Sequence, residues 1–405
     1  MPTIRKKRAV EQTVLELARE RVAETFRIFD TVIVSFSGGK DSTVILNLAL
    51  EHLQANGITK PIEAIFYDEE AIPFETEHYV RRMGDHPLIN LRWLCLPVKH
   101  RNGCSRRSPY WYPWAPEDEA KWVRPMPPEG ITHIDGFPEN IESRPDLPSS
   151  VGLLFPARDY GRVGMLMGIR ADESITRARS VLISSQENRP YIKQWNDGYS
   201  EGNLFKSLPI YDWRTADVWT APAMFGWDYN RAYDQMEMAG ISHHSQRCAP
   251  PYGEEPMRGL WMYSICWPEI WDKMIARVPG AATAARYSTT ELYAFRDKPD
   301  KPADMTWPEF IRYWLMKHPE KYRAGVASRV QSWIKLHFKK TTDPLAVNSP
   351  HPITGISWNH LLMIALRGDY KNRKQAPMPP NKERAWERYR REIAGMSKED
   401  LRRPA

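Results

Sequence analysis

An apolar run that leads straight into two glycines constrains the fold of this chain more than any other stretch. Residues 31–36 read Thr-Val-Ile-Val-Ser-Phe, a composition typical of a strand buried in a parallel sheet. Gly38 and Gly39 follow, and leucines then recur with helical spacing up to Leu53. The pattern predicts a strand, a glycine loop and a helix. Backbone N–H groups and a helix N-terminus then point to one place, an arrangement that suits an anion and phosphate above all.

The side chains of this loop suit the same ligand. Ser37 and Ser42 add hydroxyl donors, and Lys40 adds a positive charge. Asp41 is placed to cap the helix or to hold a magnesium ion. Residues 37–42, Ser-Gly-Gly-Lys-Asp-Ser, match neither the Walker A spacing nor the GxGxxG pattern. They resemble the pyrophosphate loop of the ATP pyrophosphatases, which implies binding of the β- and γ-phosphates of ATP while a nucleophile attacks the α-phosphorus.

Length and composition set the broad class. The chain has 405 residues, enough for two or three domains, with 42% hydrophobic and 26% charged residues, as in ordinary globular proteins. No apolar run is long enough for a transmembrane helix, and the basic N-terminus lacks the apolar core of a signal peptide. We therefore expect a cytoplasmic protein. Four cysteines are too few and too scattered for a disulfide framework.

Two further strands are predicted after the loop helix. Residues 61–68 form the second, which makes a right-handed βαβ unit with the first, and residues 88–96 form the third. Asp68 ends the second strand, at the edge of the sheet that lines the ligand crevice in open α/β folds. Phe66 and Tyr67 are placed where an adenine ring would pack, so we include Tyr67 and Asp68 among the nucleotide-binding candidates.

The pattern breaks down between residues 97 and 150, which are rich in Pro, Trp, Tyr and Arg. An irregular stretch of this length inside a domain is usually functional or disordered, and its aromatic content argues against disorder. We interpret it first as an insertion or lid over the nucleotide site. The alternative is a surface that contacts nucleic acid, with aromatic rings on bases and arginines on phosphates.

A second segment with phosphate-binding character follows. Residues 164–169 predict a strand that leads into Arg170, and Arg177 follows seven residues later. Guanidinium groups at this edge of the sheet suit bidentate contacts with phosphate, although a pair of surface arginines on a solvated turn is the alternative. Further along, Thr215 is expected to cap a helix that carries Val218 and Trp219.

Three segments together resemble the phosphoadenosine phosphosulfate reductase family. They are Ser-Gly-Gly-Lys-Asp-Ser at 37–42, Gly-Ile-Arg-Ala-Asp-Glu-Ser at 168–174, and Pro-Ile-Tyr-Asp-Trp at 209–213 followed by Asp-Val-Trp at 217–219. The resemblance spans about residues 25–250 and implies an α/β fold, a Rossmann-like parallel sheet of the adenine nucleotide alpha-hydrolase-like type flanked by helices. It also implies the site residues. The catalytic candidates are Lys40, Asp41, Arg170 and Arg177. The nucleotide-binding candidates are Ser35, Ser37, Gly38, Gly39, Lys40, Asp41, Ser42, Tyr67, Asp68, Gly168, Arg170 and Glu173.

The chain departs from that family in its cysteines. True reductases use a cysteine in a C-terminal Glu-Cys-Gly-Leu-His tail, and the last seven residues here contain none. The paired cysteines of the iron–sulfur branch are missing as well, so we expect no such cluster. Cys248 lies close to His243 and His244, which leaves a metal site as one hypothesis beside a buried structural thiol.

The remainder, residues 251–405, predicts a mostly helical and basic second domain after a first domain of residues 1–250, and one of its helices is predicted from Leu260 to Met274. Its basic residues form either a solvated helix face or a platform for nucleic acid; they include Lys335, Lys339, Lys340, Arg367, Lys371, Arg373 and Lys374. The net charge of +7 is compatible with such a partner.

The function that these features favour is an ATP pyrophosphatase that cleaves ATP between the α- and β-phosphates and adenylates an unknown acceptor, with ATP and Mg²⁺ as ligands. A nucleic acid or its modification intermediate is one candidate acceptor, because reductase-like relatives accompany DNA phosphorothioation and some CRISPR loci. One alternative is a strict sulfonucleotide reductase. The other is a non-catalytic nucleotide-binding adaptor in a nucleic-acid-processing or CRISPR-associated defence system.

Overall fold

The chain divides into two compact units in a computed structural model. The first comprises Met1–Arg101 and Tyr110–Val278, and the second comprises Asn102–Pro109 and Pro279–Ala405. The boundary near residue 250 stays a prediction. The structure describes residues 10–174, 177, 178, 181, 189–195, 199–253, 256–287, 299–369, 376, 381–397 and 399–402.

The first unit is built on a six-stranded sheet in the order β3-β2-β1-β6-β8-β7. Its strands are β1 (Thr31–Ser35), β2 (Ile62–Tyr67), β3 (Ile89–Leu94), β6 (Val163–Leu166), β7 (Ile192–Gln194) and β8 (Leu204–Ser207). A separate hairpin pairs β4 (His100–Arg101) with β5 (Tyr110–Trp111). All neighbours in the main sheet are parallel except β7 and β8, which are antiparallel. The predicted α/β fold class is confirmed.

Helices cover both faces of this sheet because its central strands are apolar on both sides. On β1, Val34 belongs to the core on one face and Ile33 to the core on the other. The first face packs against α1 (Val14–Ile28), α2 (Lys40–Ala55), α3 (Phe74–Gly84) and α6 (Thr215–Phe225), and the second packs against α4 (Leu147–Leu154). The unit also contains α5 (Ala157–Tyr160), α7 (Ala232–Met238), α8 (Leu260–Cys266) and α9 (Pro268–Arg277).

The order of the strands reverses at β1. From β1 the chain moves outwards to β2 and β3, then returns to place β6 on the opposite side of β1. In open parallel sheets a crevice forms outside the carboxyl ends of the two strands where this reversal occurs. The segments that follow β1 and β6 are residues 36–39 and 167–170. They overlap residues 37–42 and 168–174, which are the two sequences predicted to bind the nucleotide.

The aromatic stretch at residues 97–150 is partly a structural insertion that binds buried carboxylates. Glu70 is fully buried with a positive φ of 65°, and it accepts hydrogen bonds from the backbone N–H groups of Trp114 and Val123 at 2.9 and 3.0 Å. The Arg277 guanidinium donates to both oxygens of the same carboxylate, from Nε at 2.7 Å and from Nη2 at 3.0 Å. Burying charged groups is costly unless they are paired in this way, so residues 114–124 hold the end of β2 in place.

Asp68 lies in the same network and is 2% exposed. One of its oxygens accepts from the backbone N–H of Glu70 at 2.9 Å, and the other accepts from the Trp93 indole at 2.8 Å and pairs with Arg124. Both carboxylate oxygens therefore have protein donors, a geometry that favours a structural role over contact with a nucleotide.

Two helix predictions need correction. The helix predicted from Leu260 to Met274 is broken into α8 and α9, because Trp267 leaves the helical region and Pro268 starts a new helix at a position where proline is favoured. Thr215 does not cap α6 but is its first residue. The capping contact is made instead by Asp217, whose carboxylate accepts from the backbone N–H of Arg214 at 2.7 Å.

The second unit is helical within its described residues. It contains α10 (Ala281–Tyr287), α11 (Trp307–Met316), α12 (Glu320–Lys340), α13 (Trp358–Arg367) and α14 (Lys382–Ala394). Trp307, Phe310 and Val330 pack against α13, which is buried along almost its whole length. Lys335, Lys339 and Lys340 are exposed on α12, whereas the basic positions 371, 373 and 374 lie outside the described residues. No described helix is both long enough and apolar enough to span a bilayer.

Two buried histidines of this unit face each other with ring centroids 5.0 Å apart. His337 contacts the Thr354 hydroxyl at 2.7 Å and the Asp343 carbonyl oxygen at 2.9 Å, and His351 contacts the Asp343 carboxylate at 3.0 Å. Burial lowers the pKa of His337, and it lowers the pKa of His351 despite the nearby carboxylate. Both rings are therefore neutral in the folded unit near neutral pH.

We expect the second unit to lose stability as the pH falls below about 6.5. Above that value both histidines are neutral whether the unit is folded or unfolded. Below it, the unfolded chain binds protons that the folded protein excludes. The free energy of unfolding then falls by up to about 1.4 kcal/mol for each tenfold change in acidity by which folding lowers the pKa of a histidine. Hydrogen exchange of α12 and α13 at pH 7.5 and 5.5 measures the effect. His337→Gln should flatten the dependence, and equal protection at the two values in wild type would contradict it.

Candidate nucleotide site

The loop after β1 adopts a conformation that leaves backbone donors open. Gly38 has a φ of +69°, a region where glycine is favoured, and a Cβ there would lie 3.0 Å from a methyl carbon of Val80. The Ser42 hydroxyl accepts from the backbone N–H of Ser37 at 3.1 Å and so closes the turn onto the first turn of α2. Within the described part of the chain, the N–H groups of Gly38, Asp41 and Ser42 have no acceptor. These donors suit an anion.

The segment after β6 is packed directly against this loop. A Cβ on Gly168 would lie 2.7 Å from the backbone carbon and oxygen of Asp41. Only glycine permits that approach without a shift of the backbone. The segment after β6 therefore contacts the segment after β1 at Asp41, as expected for the ends of two neighbouring parallel strands.

Arg170 joins the two segments through side chains. It is 2% exposed, its Nε lies 2.5 Å from Asp41 Oδ1, and its Nη1 lies 3.4 Å from the Thr215 hydroxyl. Its Nη2 has no acceptor among the residues that the structure describes. A buried guanidinium with one free edge beside open amides is suited to a phosphate oxygen.

Glu173 contacts the backbone of Arg170, and Arg177 pairs with Glu173. Glu173 accepts from the backbone N–H of Arg170 at 3.3 Å and forms an ion pair with the Arg177 guanidinium. The Arg177 side chain is 41% exposed, compared with 3% for that of Arg170. Of the two arginines, Arg170 is the one that the structure brings to the loop.

Lys40 is the second cation of the site. Its side chain is 11% exposed, and its ammonium donates to the backbone oxygen of Gln246 at 3.2 Å and lies 3.9 Å from Asp41 Oδ2. Burial lowers the pKa of Lys40, and the charge of Asp41 opposes that change. Asp41 is thus flanked by two cations, and its assignment to Mg²⁺ stays a prediction.

Sequence reasoning missed the residues that cover the loop. The hydroxyl of Tyr233 accepts from the backbone N–H of Lys40 at 2.9 Å, and Asn230 donates to the Gly38 carbonyl oxygen at 2.9 Å. Cys248 lies beside Asn230 at 3.5 Å, and burial raises the pKa of its thiol to about 11. The loop amide of Lys40 and the ammonium of Lys40 are therefore both engaged by residues 230–248. No local pattern marks these contacts, since they join residues about 200 positions apart.

The remaining candidates lie near the site without a demonstrated ligand role. Ser35 is the last residue of β1, and the Tyr67 hydroxyl contacts the Ser150 hydroxyl at 2.7 Å. The assignments of Ser35 and Tyr67 to nucleotide binding stay predictions. His243 pairs with Glu237 at 2.9 Å, and the described residues contain no group of three His, Cys, Asp or Glu side chains that would hold a metal.

We expect Tyr233→Phe to tighten ATP binding by about fivefold, because one hydrogen bond that competes with phosphate for the Lys40 amide, worth about 1 kcal/mol, is removed. Isothermal titration with a non-hydrolysable ATP analogue measures the change. Tyr229→Phe is the matched control, because its hydroxyl bonds to Asp234 rather than to the loop. Weaker binding in Tyr233→Phe alone would instead make this hydroxyl a nucleotide contact.

The chain is similar to several known proteins. The family model of the phosphoadenosine phosphosulfate reductase domain matches residues 31–238, and that of a domain of unknown function (DUF3440) matches residues 240–349. The uncharacterized protein YbdN of Escherichia coli is 31% identical over 396 residues, which is 95% of each chain. Sulfate adenylyltransferase subunit 2 of Shewanella pealeana is 23% identical over 52% of this chain and 61% of that subunit. A crystal structure of Candida auris phosphoadenylyl-sulfate reductase with phosphate is 16% identical, with a TM-score of 0.31 over 56% of this chain and 93% of that one.

Proposed function

The chain belongs to the phosphoadenosine phosphosulfate reductase domain family, and we propose that it binds ATP at residues 37–42 and transfers the adenylyl group to an acceptor. The family is consistent with ATP-utilising adenylyl chemistry, since one relative is named as a subunit of an adenylyltransferase. The observation that carries the proposal is the junction of Asp41 with Gly168 and Arg170, which puts open amides and a buried guanidinium at the reversal point of the sheet.

In this proposal the loop and Arg170 act on different parts of the triphosphate. The free N–H groups of Gly38, Asp41 and Ser42, together with Lys40, hold the β- and γ-phosphates. They stabilise the charge that develops on pyrophosphate as it leaves. Arg170 holds an oxygen of the α-phosphate and orients it. An acceptor oxygen forms a bond to the α-phosphorus, and the bond from that phosphorus to the bridging oxygen breaks, with the electron pair leaving on pyrophosphate.

A labelling experiment tests the reaction. ATP labelled at the α- or γ-phosphate is incubated with Mg²⁺ and the full chain, in separate arms with buffer, hydroxylamine, small-molecule cell extract, DNA and RNA. We expect label from the α-phosphate in AMP or an adenylated product and label from the γ-phosphate in pyrophosphate. Release of γ-label as inorganic phosphate with formation of ADP would contradict cleavage between the α- and β-phosphates. Intact ATP in every arm would contradict catalysis.

A second candidate function is a nucleotide-binding adaptor without turnover. The contacts of Tyr233 and Gln246 with Lys40 favour it, because an amide and an ammonium that the protein already binds are not available to stabilise the charge that develops on pyrophosphate. Tight binding of ATP, together with intact ATP in every arm above, would support the adaptor over the enzyme.

A further inference from the structure

A cavity of about 490 Å³ lies beside the phosphate loop in the first unit, and we propose that it holds the acceptor: a small carboxylate with a flat apolar body. Its role as an acceptor site rests on the proposed function. Its volume is within the range of small-molecule sites. All of its lining residues fall between 240 and 263, whereas the reductase-domain match ends at 238 and the second family match begins at 240. The cavity is thus built by the part of the chain that the reductase domain lacks.

Two contacts connect the segment that lines the cavity to the candidate nucleotide site, one through Thr215 and one through Lys40. His244 lines the cavity, and its Nδ1 lies 3.5 Å from the Thr215 hydroxyl, which in turn lies 3.4 Å from Arg170. Ser245 and Arg247 also line it, and the backbone oxygen of the residue between them accepts from the Lys40 ammonium at 3.2 Å. A ligand at the His244 edge is therefore next to the residues proposed to hold the α- and β-phosphates.

The chemistry of the lining selects the class of ligand. The lining includes an imidazole, a guanidinium and two hydroxyls, from His244, Arg247, Ser242 and Ser245, and the described lining contains no acidic side chain. The Ser242 hydroxyl donates to that of Ser245 at 3.0 Å, so the pair has one hydroxyl hydrogen to offer a ligand. Such donors suit a carboxylate. The indole of Trp261 and the neighbouring buried residues Met262 and Tyr263 add apolar and partly flat surface to the lining.

A carboxylate also fits the proposed reaction without a further base. It is ionised at neutral pH, so one of its oxygens attacks the α-phosphorus directly, and no proton has to be removed. The new bond joins the carboxylate oxygen to the α-phosphorus, pyrophosphate leaves with the electron pair of the broken bond, and the product is an acyl adenylate. No oxidant or reductant is required.

Binding of 2-naphthoate to the full chain tests the cavity. We expect one saturable site, about tenfold weaker binding in Ser245→Trp, which fills the cavity, and unchanged binding in the matched control Ser264→Trp, on the exposed face of α8 outside the lining. The neutral analogue 2-naphthylmethanol should bind at least about tenfold more weakly than the acid. Absence of a saturable site, equal binding in Ser245→Trp, or equal binding of the alcohol would overturn the proposal.

A stable acyl-adenylate mimic, 5′-O-[N-(2-naphthoyl)sulfamoyl]adenosine, tests the acceptor role. It should bind about 100-fold more tightly than 5′-O-sulfamoyladenosine, because one molecule then occupies both sites, and Ser245→Trp should remove that gain. Equal affinities of the two compounds would overturn the acceptor role. If 2-naphthoate binds as expected while neither ATP nor the adenosine compounds bind, the proposed function fails and the cavity assignment stands.

Discussion

Replacing Lys40 with methionine should lower the rate of ATP cleavage by roughly 100- to 1,000-fold, the usual effect of removing one preorganised group that stabilises developing charge. The Lys40 side chain is 11% exposed and its ammonium lies 3.9 Å from Asp41 Oδ2, so water screens its charge only weakly. Methionine keeps the unbranched shape and most of the buried length of the side chain while it removes the charge. The measurement is the initial rate of pyrophosphate release from ATP.

The matched control for that substitution is Lys60→Met, at an exposed position shortly before β2. Both variants should keep the thermal unfolding profile of the wild-type protein, which separates loss of chemistry from loss of folding. A Lys40→Met protein that folds normally and releases pyrophosphate at the wild-type rate would show that the loop is not the catalytic phosphate site.

Replacing Glu70 with glutamine should destabilise the first unit by about 3 kcal/mol, because it removes the buried carboxylate that pairs with Arg277. This is the low end for a broken buried ion pair, since Asp118 still pairs with Arg277 at 3.2 Å. Glu70 is fully buried, and Arg277, which clamps it, is 4% exposed. Glutamine has nearly the same volume, so the effect measures charge and hydrogen bonding rather than a cavity. Urea unfolding followed by tryptophan fluorescence gives the change in the free energy of unfolding.

Glu51→Gln is the control, because Glu51 pairs with Arg19 on the surface, where such pairs contribute about 1 kcal/mol or less. A loss in Glu70→Gln no larger than that in Glu51→Gln would mean that the network at the end of β2 does not hold this part of the fold.

Local patterns predicted the elements whose signal is contained in a short stretch. The apolar run of β1, the two glycines and the helical spacing of α2 lie within 25 residues, and the structure has strand, loop and helix in that order. Strands β7 and β8 have three and four residues, and their pairing depends on the rest of the sheet, so no periodicity revealed them. The break between α8 and α9 depends on Trp267 and the proline after it, within an otherwise helical pattern.

The same distinction between local patterns and tertiary contacts separates the residues of the candidate site that the sequence predicted from those that it did not. Residues 37–42 and Arg170 were identifiable because parallel strands bring the ends of successive motifs to one edge of a sheet. The structural partners of Asp68 were not, because its position at a strand end is the same whether its carboxylate faces a ligand or a buried arginine. Tyr233 and Gln246 reach the loop only through tertiary contacts, which no spacing in the chain encodes.

In the proposed complex, the triphosphate of ATP binds to the amides between β1 and α2, and its α-phosphate lies beside Arg170. A crystal structure of the full chain with a non-hydrolysable ATP analogue tests it most directly. The expected result is density for three phosphates within hydrogen-bond distance of the backbone N–H groups of Gly38, Asp41 and Ser42, with the α-phosphate on the Arg170 side. An analogue bound elsewhere, or a loop still covered by Tyr233 and Gln246 at saturating analogue, would contradict it.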